Sequence, residues 1–92
     1  MARVVVTLRI MPSDIHIDLH KLETEAKKEI VSFCNSTEFK TNIVPIAFGL
    51  KALDILFVMD ESKGSTEALE QKISHLEGVE SVETTDVRRA IG

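Results

Sequence analysis

The segment from Ala52 to Met59, ALDILFVM, limits the possible folds of this chain more than any other. Leu53, Ile55, Phe57 and Met59 alternate onto one face of an extended segment, and Ala52, Leu56 and Val58 leave the opposite face largely apolar as well. A strand so apolar on both faces belongs in the middle of a sheet, where burial is greatest. The opening RVVVTLRIM is its natural companion. Val4, Val6, Leu8 and Ile10 share one face, with Arg3, Val5, Thr7 and Arg9 on the other, and Pro12 ends the run.

Between these two strands the period changes. PSDIHI reads as a loop leading to Asp18, a suitable helix N-cap. Leu19, Leu22, Ala26, Ile30 and Phe33 then recur at spacings of three and four, and Asn35 and Ser36 are suited to ending the helix. Phe39 to Ile46 is a weaker strand whose Pro45 cannot donate to a ladder, which places it at a sheet edge. After ALDILFVM, DESKG turns the chain. Ser65 or Thr66 can cap a second helix with Leu69, Ile73 and Leu76 facing inward, Glu67 and Glu70 favouring its positive end and Gly78 closing it. VESVETTDV supplies a last strand, polar enough for the other edge.

The predicted order is therefore βαββαβ. Two right-handed strand-helix-strand units on one antiparallel sheet make an α+β, ferredoxin-like sandwich, with strand order 4-1-3-2 and both helices on one face. The two most apolar strands then lie at the centre. The 92 residues are expected to form a single domain, from residue 1 to residue 92, at a size that buries roughly 60 to 65% of the unfolded surface.

Composition narrows the function classes. The net charge of −4 argues against a general nucleic-acid binder. The chain has four Phe and no Tyr or Trp, too few for an RNA-stacking platform on this sheet. Cys34 is the single cysteine, so no intrachain disulfide, Cys-x-x-Cys redox motif or paired-cysteine zinc site can form. A reducing, cytoplasmic setting follows as the expectation. The N-terminal apolar run is interrupted by Thr7 and Arg9 long before a membrane-spanning length.

Sites for covalent chemistry do not emerge. Lys63 to Thr66 has its lysine before the glycine, the wrong order for a phosphate loop. His16, Asp18 and His20 straddle the expected helix start and would not share a face, so they read as loop and first-turn residues rather than as a metal cluster. Cys34 has no histidine beside it to activate the thiol. Asp60 to Ser62 reads as a solvated turn. No catalytic residue, cofactor or metal is expected.

PIAFGLKAL and TTDVRRAIG remain. Phe48 lies between the second and third strands, flanked by Pro45 and Gly49, and either folds back over the core or stays outside as an anchor for a partner. Composition alone favours the core. Arg88 and Arg89 stand at the end of the last strand, where terminal solubilising charge is the commoner role.

At these residues the sequence resembles the elongation factor 1-beta family, both its archaeal members and the C-terminal exchange domain of its eukaryotic ones. The motifs are VVVTLRIMP, PIAFGLKAL, GSTEALEQKI and GVESVETTDVRR. The resemblance implies a guanine-nucleotide exchange factor that releases GDP from the translation elongation factor 1-alpha GTPase, with no covalent step. It implies that Phe48 is a hairpin aromatic touching the GTPase, that Pro45 and Gly49, which shape its loop, and Lys51 belong to the same contact, and that the segment from Asp86, with Arg88 and Arg89, is a second contact. Eukaryotic members place a lysine near the C-terminus at the magnesium site, whereas this chain ends RRAIG. Either an arginine substitutes or exchange disturbs the phosphate loop without that intrusion. A minimal, free-standing module without an assembly domain is expected. The alternative is a small-molecule-sensing regulatory domain of the same fold, acting as a dimer.

Overall fold

A computed structural model describes residues 2–90. The elements are β1 (Arg3–Pro12), α1 (Leu19–Cys34), β2 (Phe39–Ala47), β3 (Leu50–Asp60), a single 3-10 turn (Glu61–Lys63), α2 (Glu67–Ser74) and β4 (Val79–Arg89). The sheet is four-stranded and antiparallel in the order β2-β3-β1-β4, so the two most apolar strands are central and Pro45 lies on an edge.

Alternation in β1 and β3 decides the layering. Val4, Val6, Leu8 and Ile10 join Leu53, Ile55, Phe57 and Met59 in one buried cluster, to which α1 adds Leu22, Ala26 and Ile30 and α2 adds Leu69 and Ile73. Both helices therefore cover the same face. The uncovered face carries the pair Arg9↔Asp54 across β1 and β3. Asp54 interrupts the second apolar stripe of β3. It is nearly buried, and Arg9 reaches it through a two-pronged contact of 2.9 and 3.0 Å. Hydrogen bonding to Asp54 and its negative charge raise the Arg9 pKa above its usual value.

The helix ends follow local chemistry. Asp18 Oδ1 accepts the N–H groups of His20 and Lys21 at 3.0 and 3.2 Å, and Asn35 closes α1 in the left-handed conformation. Helix α2 is shorter than the sequence suggests. It stops at Ser74, and two tight turns follow: Leu76 N–H donates to Ile73 O, and Val79 N–H to Leu76 O. Leu76 still packs against the core from outside the helix. Gly78 ends this turn, not the helix. Its φ is +89°, and a Cβ there would lie 3.0 Å from Ile17 Cδ1, so only glycine fits without displacing Ile17. At the start of α2, Ser65 Oγ accepts the Glu67 N–H, while the Thr66 hydroxyl bonds Glu70 and Thr84 and ties the helix to β4.

Candidate protein-docking site

The β2–β3 turn is built from Phe48 and Gly49, between the facing residues Ala47 and Leu50. Both central residues have positive φ, +53° for Phe48 and +80° for Gly49. Two positive φ values are the requirement of the type I′ hairpin, whose hand matches the twist of the flanking strands. Glycine meets that requirement at no steric cost, but phenylalanine does not. A bulky residue in the left-handed region is strained by about 1–2 kcal/mol.

Phe48 is also 101% exposed, as open as a side chain can be. The composition-based expectation that it folds over the core is overturned. A two-residue turn holds it beyond the last strand pair, where neither helix reaches. The outside position implied by the resemblance is the one found. The approach to the tip is irregular too, because the register slips between Pro45 and Ala47 and leaves Ile46 as an extra, exposed residue. Pro45 and Lys51 face each other one pair below, both exposed.

The second group lies elsewhere. Asp86, Arg88 and Arg89 are residues of β4 itself, paired with Thr7, Val5 and Val4, so the strand continues beyond Val87 and the arginines are not a loose tail. Consecutive strand residues face opposite ways. Arg89 shares the helix-covered side with Val4, where its guanidinium donates to Glu61 at 3.3 Å. Arg88 points to the open side and pairs with Asp86 at 2.8 Å. The two basic groups thus do not form one patch. Both pairs are exposed, so a competing anion can displace either carboxylate with little loss. Ile91 and Gly92, the end of RRAIG, lie outside the described residues.

The hairpin group and the arginine group occupy opposite corners of the sheet. Arg89 faces Val4, which faces Met59, nine residues along β3 from Leu50. At about 3.4 Å per residue the groups are about 30 Å apart along the strands, and the three steps from β2 to β4 add about 14 Å sideways. The alternation that splits the arginines was available to sequence reading. It was missed because the polar end of β4 looks like a terminus.

Of the residues weighed for a metal, His16 lies in the loop before α1 and His20 in its first turn. Cys34 ends α1 with its thiol donating to Ile30 O at 3.4 Å. Among the described residues no helix is long and apolar enough to cross a membrane.

A small antiparallel sheet backed by two helices thus turns one aromatic, on a strained hairpin, out to solvent instead of into its core. The fold itself recurs. A de novo designed protein, Foldit4, superposes with a TM-score of 0.60 at 20% identity over 98% of both chains. BlrP1 BLUF superposes at 0.56 and 13% identity over the whole of this chain and 57% of its own.

Residues 5–90 match the EF-1 guanine nucleotide exchange domain, and the chain belongs to that family. Among its relatives are proteins named elongation factor 1-beta from Methanothermobacter thermautotrophicus, 42% identical over 97% of this chain and 98% of that one, and from Staphylothermus marinus, 41% identical over the same shares. Another, from Methanococcoides burtonii, is 35% identical over 99% of this chain and 100% of its own. Family membership supports a nucleotide-exchange role in translation elongation.

Proposed function

We propose that the chain acts as one guanine-nucleotide exchange domain whose target is the elongation factor 1-alpha GTPase, from which it releases GDP in the cytoplasm. The observation that carries the reading is Phe48. A fully exposed aromatic held in a left-handed conformation contributes nothing to the core and strains the turn, which is the pattern of a residue kept for a partner.

The mechanism is coupling rather than covalent catalysis. A protein that binds the nucleotide-free GTPase more tightly than the GDP form weakens GDP binding by the same factor. Nucleotide affinity in such GTPases rests on backbone amides, a lysine and a magnesium ion around the phosphates. Phe48 anchors one corner, with Pro45, Gly49 and Lys51 shaping and flanking the tip. The segment from Asp86 supplies the second contact at the opposite corner, where the guanidinium of Arg88 or of Arg89, whichever face meets the partner, reaches anionic groups. The distance between corners means that the GTPase is gripped along the sheet's long dimension, and that loss of one contact leaves the other in place.

The test is release of a fluorescent GDP analogue from the cognate GTPase, chased with excess unlabelled nucleotide. The wild-type chain accelerates release, and Phe48→Ala slows it strongly while the domain stays folded. A verified active GTPase whose GDP release is unchanged by the wild-type chain would remove the proposal.

A further inference from the structure

We propose that Ile15, in the β1–α1 loop, is a second apolar contact for the same GTPase surface that receives Phe48. Ile15 is 57% exposed, so the core does not explain it. Six large hydrophobic side chains are exposed among the described residues, and three of them, Ile15, Ile46 and Phe48, gather at this one end, which singles it out from the rest of the surface.

The loop is built to present Ile15 there. On one side Ser13 N–H donates to Gly78 O at 2.8 Å, and on the other Ile17 lodges against Gly78. Between these anchors Asp14 Oδ1 accepts the His16 N–H at 2.7 Å, closing a tight turn with Ile15 inside it. Ile15 Cγ2 then stands 3.8 Å from where a Cβ on Gly49 would be, in van der Waals reach of the hairpin tip. The loop and the turn border an open groove of about 300 Å³, lined by Pro12, Asp14, Ile15, Gly49 and Lys51 among others.

The inference rests on the reading of Phe48 as the GTPase anchor. The groove adjoins the Phe48–Gly49 turn, so a partner that covers Phe48 also covers Ile15. An apolar side chain of that partner fills the groove, and Lys51 and Asp14 at its rim suit a polar margin around an apolar centre.

Ile15→Asp places a charge in that contact without touching the core. Its concentration for half-maximal acceleration of GDP release is expected to rise about tenfold while the melting temperature stays at the wild-type value. Ile15→Val should remain close to wild type. A photo-crosslinking phenylalanine analogue at position 15 should attach to the GTPase. If Phe48→Ala slows release but Ile15→Asp does not and no crosslink forms, Ile15 is not a contact and the Phe48 reading stands. If neither substitution alters release by an active wild-type chain, both fall. A rise in half-saturation that merely parallels a lower melting temperature, without a crosslink, also overturns the contact.

Discussion

Replacing Phe48 by asparagine should make the protein more stable and a worse exchange factor. At 101% exposure Phe48 loses no buried area when it is truncated, so no hydrophobic term opposes the change. Its φ of +53° is a position that asparagine tolerates, and Asn-Gly is the favoured pair for a type I′ hairpin. Relief of part of the strain is expected to contribute about 0.5–1 kcal/mol, which in a domain of this size raises the melting temperature by about 3–6 °C. Glycine would relieve more strain but adds freedom to the unfolded chain, so asparagine is the cleaner probe. Loss of an aromatic anchor removes about 2 kcal/mol or more of binding, near thirtyfold in affinity. Thermal melting of the isolated chain and titration of GDP release give the two numbers independently. A melting temperature lowered by several degrees would show that Phe48 packs against the fold, and unchanged exchange would show that it is not the anchor.

Because Arg88 and Arg89 leave opposite faces of β4, a partner surface on one side meets only one of them. Arg88→Ala and Arg89→Ala assayed separately should therefore differ in exchange by about threefold or more, and equal effects would count against the geometry. Phe57, 1% exposed at the centre of the core, should lose about 3–5 kcal/mol as Phe57→Ala in denaturant titration, a large part of the roughly 5–14 kcal/mol expected of a domain of this size. Asp60 accepts the Ser62 N–H at 2.8 Å, and that bond, with the Ser62 side chain, holds its pKa below the usual carboxylate range. A carboxylate depressed in the folded state contributes stability that is complete above its unfolded pKa and lost as pH falls through the folded one. The melting-temperature gap between wild type and Asp60→Asn should thus shrink as pH falls below about 4, the ordinary value of an unfolded aspartate, and a constant gap would refute the linkage.

Much of the architecture is legible in short-range patterns. Alternation in Arg3–Pro12, the three-four spacing after Asp18 and the doubly apolar Leu50–Asp60 specify element types, because each strand or helix must bury a face set by its own period. Pro45 places β2 at an edge for an equally local reason, a missing donor. Phe48 and the β4 arginines stood out in the sequence by themselves, and the family resemblance turned them into expected partner contacts.

Other features depend on contacts between distant segments, where local patterns carry no signal. That Arg9 has a partner is settled only when β1 and β3 align it with Asp54, and that α2 ends at Ser74 depends on turns that bring Gly78 against Ile17. The side each arginine takes follows from pairing with Val4 and Val5, which keeps the strand extended to Arg89. Phe48 gives the sharpest contrast. Its place between two strands could be read from the chain, but its strain and full exposure arise only because the strands' twist demands a two-residue left-handed turn beyond the reach of either helix.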